Sequence, residues 1–332
     1  MTPMVLYDQH LHSRHSMDSK TAPADNVEAA IRRGLAGLTF TEHFDTHPDD
    51  WPGCVYDDAA YSAAIEELRE RYAAQIFVGK GIEVCYQPAN LDFILDFLSA
   101  HRFDVVLLSI HYFAGRSLHR REHWTGLDVF EGTRRYLQDV LAAVHKCVEL
   151  RRAGPRPFDV LAHLDVVKRY SQRFGGSTAV ESFGSLIDEI LAACLEAELV
   201  PEINTSSLRQ GLTETMPGPT IVEQYARRGG TGMSIGSDAH RSEDVGAGFD
   251  VACDMMRNAG LRHLVFFEQR RRIDIRIDTT SDRRAPVQVP AVSPSSTFWL
   301  DGPELPRAGR PVENPTPPSA DRRSTRPGGV ER

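Results

Sequence analysis

Asp8-Gln9-His10-Leu11-His12 follows the apolar run Met4-Val5-Leu6-Tyr7 and reads as the end of a buried strand. Alternate residues of a strand face opposite ways, so His10 and His12 point to the same side. Two imidazoles at i and i+2 can grip one metal ion without a loop to position them, because the backbone sets their separation. The pair alone also fits two hydrogen-bonded polar residues at a strand mouth. Repetition favours ligation: further along the chain, apolar runs keep ending on a His, Glu or Asp.

After the first strand, residues 24–33 have helical apolar spacing through Val27, Ala30 and Ile31, with Asp25 as a cap and Gly34 as the stop. Residues 35–41 form a second strand ending at Glu42-His43, and 75–82 a third ending at Glu83. A fourth, 103–110, ends at His111, and a fifth, 158–162, at His163. The sixth, 199–204, runs into Thr205 to Arg209, and the seventh, 232–237, ends at Asp238 and His240. Helical spacing covers 57–73, 91–100, 131–152, 180–197, 220–228 and 251–259, the last leading into Leu264-Val265-Phe266-Phe267. Strand-then-helix units in one register imply parallel strands with right-handed crossovers. An open sheet would gather ligands at one switch point, whereas here every strand end is polar, which fits a closed barrel better. The chain has no GxGxxG after the first strand and no GxxxxGK[ST] loop, so no nucleotide fingerprint competes.

The 332 residues, 41% apolar and 25% charged, can build a large soluble α/β domain. No apolar run is long enough to span a membrane and the N-terminus has no basic flank before an apolar segment, which points to a cytoplasmic protein. Cys54, Cys85, Cys147, Cys194 and Cys253 are scattered and odd in number, so they read as reduced thiols rather than a disulfide framework or zinc ribbon. A net charge of −8 argues against nucleic-acid binding, and no membrane partner is expected. Residues 270–332 hold twelve Arg against eight acidic residues, so residues 1–269 carry −12. From about Thr279 the chain contains half of all its prolines, interleaved with Ser, Thr and Arg. Such a segment cannot bury enough apolar surface to offset its ordering entropy. The expected organisation is one domain over 1–278 and a disordered tail over 279–332, with Phe298-Trp299-Leu300 as the tail's one apolar knot.

Collected, the strand-end residues are His10, His12, His43, Glu83, His111, His163, Asp238 and His240. One strand-end His is ordinarily a hydrogen-bonded rim residue. Eight such residues at equivalent positions make a shared metal site the better reading. Imidazoles with a few carboxylates suit Zn, Fe or Mn rather than Ca or Mg, and the set is large enough for two or three divalent ions.

Asp8-Gln9-His10-Leu11-His12-Ser13, Thr41-Glu42-His43, Gly81-Ile82-Glu83, Ser109-Ile110-His111-Tyr112, Ala162-His163-Leu164-Asp165 and Gly236-Ser237-Asp238-Ala239-His240 resemble successive motifs of the polymerase-and-histidinol-phosphatase (PHP) superfamily. The segments 163–170, 204–209 and 237–246 resemble its histidinol-phosphatase branch, and the resemblance runs from about residue 5 to 273. It implies an α/β fold, a distorted seven-stranded (β/α)7 PHP barrel, followed here by the disordered C-terminal tail. It also implies that His10, His12, Glu83 and Asp238 hold one ion, while Glu83 bridges to a second held by His111 and His163. A third would be held by His43, His240 and a ligand from the first motif. Several relatives have a His at that last position and others an acidic residue; spacing puts Asp18 there, with His15 as the competitor.

Lys168, Arg169 and Arg209 follow the fifth and sixth strands on the same mouth, where cations can bind a substrate's phosphate, and a guanidinium can take two phosphate oxygens at once. His119, His123 and Trp124, in the loop after the fourth strand, could line a pocket for the rest of the substrate. The resulting expectation is a metal-dependent phosphomonoester hydrolase acting on a small molecule, with Asp238, His240 and Arg209 as catalytic candidates and L-histidinol phosphate as the substrate the resemblance implies. Rival readings are a phosphoesterase acting on nucleotides or DNA ends, an amidohydrolase-like barrel, and a catalytically silent metal-binding module. Nothing in the sequence specifies an oligomeric state.

Overall fold

The architecture is set by one long pairing. Strand β2 (Gly37–Asp45) and strand β3 (Phe77–Cys85) run parallel through nine residue pairs, from Gly37 opposite Phe77 to Asp45 opposite Cys85. That register stands His43 directly opposite Glu83. The computed structural model describes residues 5–50, 54, 56–174, 176 and 180–277. The expected tail, 279–332, and its Phe298-Trp299-Leu300 knot lie outside the described residues.

Strand β1 is Tyr7–Leu11, so His10 lies within it rather than beyond its end, and its pairing with β2 slips between Asp8 and Leu11. Helix α1 (Pro23–Arg32) returns the chain to β2, α2 (Asp58–Tyr72) to β3, and α3 (Leu91–Ala100) to β4 (Val105–Ser109). A small antiparallel hairpin follows, β5 (Tyr112–Phe113) and β6 (Arg116–Ser117). Then come α4 (Val129–Ala153), β7 (Val160–Leu161), α5 (Val167–Phe174), α6 (Gly184–Ala197) and β8 (Val200–Asn204). Helix α7 (Pro219–Arg227), β9 (Gly232–Gly236), α8 (Phe249–Asn258), β10 (His263–Glu268) and β11 (Arg271–Arg276) complete the described chain.

The main sheet has the order β1-β2-β3-β4-β7-β8-β9-β10-β11 and is parallel except for β11, which pairs antiparallel with β10. It also curls back on itself. Leu11 bridges Ala239 in parallel, with His12 N donating to Ala239 O at 2.9 Å and Asp238 N to His10 O at 2.6 Å. Strand alternation separates two apolar layers. Val106, Leu108 and Leu161 pack outward with the helices, while Val105, Leu107, Val160 and Val200 meet Val265 and Phe267 of β10 on the other face.

Local chemistry explains several helix starts. Asp57 and Asp128 cap α2 and α4 by accepting from Ala60 N and Glu131 N. Helix α1 departs from expectation: Ala22 is its N-cap, Pro23 opens it, and Asp25 sits in the first turn without capping. Helix α5, the β5–β6 hairpin and β11 were not anticipated from the sequence; each is short or strongly polar, so its apolar periodicity is weak. No described helix is long and apolar enough to cross a membrane.

Candidate metal centre

Residues on or just past six strands, β1, β2, β3, β4, β7 and β9, meet at one point. Glu83, only 1% exposed, stands at the centre. Its Oε2 lies 3.3 Å from His10 Nε2, 3.4 Å from His12 Nε2 and 3.1 Å from His43 Nδ1. Its Oε1 lies 3.0 Å from His163 Nε2 and 3.4 Å from His111 Nε2. One carboxylate therefore faces two groups of imidazoles with its two oxygens.

Asp238 Oδ1 closes the first group, 3.5 Å from His12 Nε2, 3.9 Å from His10 Nε2 and 3.6 Å from His240 Nδ1. Towards solvent, Asp18 Oδ2 lies 2.9 Å from His240 Nε2 and 3.3 Å from His43 Nε2. His240 is 32% exposed and Asp18 45%, so the cluster grades from a buried centre to an open mouth. The structure thus gathers all nine residues singled out as metal ligands. His15, the competitor of Asp18, is not brought in: its ring lies against Tyr61, with centroids 5.6 Å apart.

The donor set fits divalent ions. Donor atoms about 2.1 Å from one ion at tetrahedral angles stand roughly 3.4 Å apart. The separations around Glu83 Oε2 and Asp238 Oδ1 cluster near that edge length, and His10 Nε2 and His12 Nε2 are buried without a hydrogen-bond partner. Three triplets keep their donor atoms within 4.8 Å of one another: His10, His12 and Glu83; His43, Glu83 and His111; His12, His43 and His240. A fourth, Asp45, Cys85 and His111, escaped the sequence reading. The signal was present, since Asp45 and Cys85 follow His43 and Glu83 by two residues on their strands.

Electrostatics agree with this grouping. Burial lowers the His12 pKa to about 3, with His43 and His240 adding to the effect. At His43 burial is outweighed by the Glu83 and Asp18 carboxylates, which lift the pKa to about 10. Against burial, His10 is raised by Glu202 and Glu83, and His111 by Asp45, Cys85 and Glu83. Glu83 and Asp238 are held well below the ordinary carboxylate range despite burial, Glu83 chiefly by His10 and His43, Asp238 by His12, His10 and Arg169. Both carboxylates are charged and available as ligands.

The three candidate cations diverge. Arg169 Nη2 lies 3.2 Å from Asp238 Oδ2 and donates to Ser206 Oγ, while its Nε is buried without a partner. Arg209 Nη2 donates to Ser237 O at 2.7 Å and its Nε meets Asp244 at 3.1 Å, leaving Nη1 without a partner. Lys168 corrects the expectation that it serves phosphate. Its ammonium is committed to Asp165 at 2.8 Å, Glu214 at 2.7 Å and Thr215 O at 2.7 Å.

Of the three pocket candidates only His119 reaches the cluster, its ring 5.6 Å from that of His111 and its Nδ1 3.3 Å from Tyr170 Oη. His123 accepts from Ser117 N, and the buried Trp124 donates from Nε1 to Leu118 O, so both close their own loop. The sequence reading also missed buried carboxylates that support the site. Asp8 accepts from Ser237 N and Gly246 N at 2.9 Å each, and Glu42 accepts from Ser13 and Ser16.

The PHP domain family profile matches residues 8–206 of this chain. The chain belongs to the PHP family. Among its relatives, a Clostridium acetobutylicum protein named "Probable histidinol-phosphatase" is 29% identical over 269 residues, covering 80% of this chain and 98% of the relative. The histidinol-phosphatase of Lactococcus lactis is 26% identical over 271 residues, covering 80% and 95%. A crystal structure of the Lactococcus lactis histidinol phosphate phosphatase, in complex with zinc, L-histidinol and phosphate, superposes with a TM-score of 0.72 at 25% identity. It covers 82% of this PHP chain and all of the other.

Proposed function

We propose that this PHP protein is a metal-dependent phosphomonoester hydrolase, a histidinol-phosphatase that converts L-histidinol phosphate and water to L-histidinol and phosphate in histidine biosynthesis. The observation that carries the reading is Glu83, whose two oxygens face separate imidazole groups, one of them closed by Asp238 with the Arg169 guanidinium 3.2 Å from it. The histidinol-phosphatase relatives, alike over nearly their full length, support the choice of substrate.

In this reading His10, His12, Glu83 and Asp238 hold one divalent ion, and Glu83, His111 and His163 a second. His43, His240 and Asp18 hold a third. Zinc is favoured by the relative crystallised with it, and iron and manganese suit the same donors. Seven of the eight parallel strands, β1, β2, β3, β4, β7, β8 and β9, form the distorted barrel, supported by the bridge from Leu11 at the end of β1 to Ala239 just past β9. A cytoplasmic location accords with the five cysteines, all free and buried.

Divalent ions held by these residues would supply Lewis acidity toward phosphoryl oxygens and would make water a usable nucleophile near neutral pH. The chain's own groups do the rest. Arg169, with Nε unpartnered, binds a phosphoryl oxygen beside Asp238, and Arg209 Nη1 offers a second donor from the neighbouring loop. Asp238, held well below the ordinary carboxylate range by His12, His10 and Arg169, is charged and suits ligation better than donation of a proton to the leaving group. His240, whose pKa is raised against burial by Asp18 and Asp238, delivers the proton from the mouth when two ions are bound. A third ion on His240 would take it out of that role.

The test is phosphate release from L-histidinol phosphate by wild type and His10→Ala, with metal content measured on both. Wild type should turn over and the variant should lose both metal and activity. Release from nucleotides but not from histidinol phosphate would overturn the substrate.

A further inference from the structure

Glu202 is a buried carboxylate on β8 that none of these ion assignments uses, 1% exposed in the middle of an apolar strand. Its two oxygens have separate tasks. Oε1 lies 2.7 Å from His10 Nδ1. Oε2 accepts from His163 N at 2.9 Å and from Asn204 Nδ2 at 3.3 Å. On the far side of the same imidazole, His10 Nε2 faces Glu83 Oε2 at 3.3 Å and has no hydrogen-bond partner. The ring of His163 presents Nε2 to Glu83 Oε1 at 3.0 Å from a backbone with φ of +21°, a conformation that a residue with a Cβ adopts only when its surroundings hold it there.

We infer that Glu202 is a positioning residue for the metal centre. It holds the His10 proton on Nδ1, which leaves Nε2 free for an ion, and it pins the turned backbone of His163. One carboxylate thereby sets ligands from β1 and from the end of β7 on the two sides of Glu83. An outer carboxylate on a ligating imidazole fixes its tautomer and raises its basicity. The packing independently keeps room for this pair: a Cβ on Gly236 would overlap both Glu202 Oε1 and His10 Cβ. The same network continues outward. Asn204 Oδ1 accepts from Ser206 Oγ, and Ser206 Oγ lies 3.1 Å from Asp238 Oδ2 and is bonded to Arg169. Glu202 is thus coupled to the phosphate-binding side as well as to the ligands.

The inference rests on the metal reading above, and its test separates the two. The Glu202 oxygens face His10 Nδ1 on one side and His163 N with Asn204 Nδ2 on the other; glutamine keeps an acceptor oxygen on one side alone, so Glu202→Gln must abandon His10 Nδ1 or His163 N. Co2+ is titrated into chelator-stripped protein, read by its visible absorption and by competition with a chelator. Glu202→Gln should bind roughly 10–100-fold more weakly with an altered spectrum, while its far-ultraviolet circular dichroism stays that of wild type. Gly236→Ala should shift the same readouts in the same direction. Wild-type affinity and spectrum in Glu202→Gln would overturn the role of Glu202 and leave the metal reading standing. Failure of wild type to take up Co2+ would overturn both. Should the variants fail to fold, histidine nitrogen NMR of zinc-loaded wild type decides: a proton on His10 Nδ1 supports the inference, and a bare Nδ1 overturns it.

Discussion

His43 Nδ1 lies 3.1 Å from Glu83 Oε2 because β2 and β3 pair with these two residues directly opposite each other. Parallel neighbours on one face of a sheet are brought close by the ladder itself, so no loop has to find this geometry. Glu83 is the one residue whose two oxygens serve two of the proposed ions. Glu83→Gln keeps the volume but removes the charge and one acceptor. Metal content should fall by more than one ion per chain, and kcat by at least about a hundredfold, the scale of losing one preorganised electrostatic group. Elemental analysis alongside turnover of histidinol phosphate checks this; full occupancy in the variant contradicts it.

Asp18 and His15 make opposite predictions from the same loop. Asp18 Oδ2 sits between His43 Nε2 and His240 Nε2, whereas His15 lies against Tyr61. Asp18→Asn should therefore lose the most solvent-exposed of the three proposed ions, leaving the two deeper ones bound. His15→Ala should leave metal content unchanged. Counting ions per chain in both variants is sufficient, and a loss confined to His15→Ala would reverse the assignment.

Lys168 and Arg169 are neighbours in α5 but do different things. Lys168 is 7% exposed and neutralises the fully buried Asp165. Lys168→Met strands that carboxylate and should destabilise the fold by about 3–5 kcal/mol, the usual effect of breaking a buried ion pair from one side. The soluble fraction should keep a near-normal KM. Arg169→Lys keeps a charge near Asp238 but loses the fork, so it should raise KM for phosphoesters several-fold with little change in melting temperature. Thermal melts and steady-state kinetics on the two variants separate these roles, and a raised KM in Lys168→Met would restore it to the phosphate site.

What the sequence revealed and what it concealed follow from periodicity. His10, His43, Glu83, His111, His163 and Asp238 all stand on or just past apolar strands, where a polar residue is conspicuous, and the structure brings them together. Lys168 misled because successive residues of a helix point about 100° apart. Two adjacent cations in α5 cannot both face the mouth, and without seeing that α5 exists the pair reads as one patch. Glu202 was overlooked because its strand ends in Asn204 rather than in a ligand, although a carboxylate between Pro201 and Ile203 was a signal of a buried partner. Helix α5 and strand β11 are too polar for apolar spacing to reveal.

The raised imidazoles predict how metal binding responds to pH. In the metal-free chain His43 titrates at about 10, and His10 and His111 are also raised, so at neutral pH these rings carry protons. An ion requires them neutral, so uptake must release protons and apparent affinity must climb with pH, roughly tenfold per pH unit for each proton displaced. Metal-free stability runs the other way. A pKa raised in the fold contributes stability that is complete below the ordinary imidazole value, so the His43 pairs with Glu83 and Asp18 stabilise the chelated protein at low pH and are lost as pH rises through about 10. Titration calorimetry of zinc into chelated protein, repeated in two buffers of different ionisation enthalpy, counts the released protons directly. A count of zero near neutral pH would mean that the imidazoles reach the ion already neutral, against the upward shift that the neighbouring carboxylates give them.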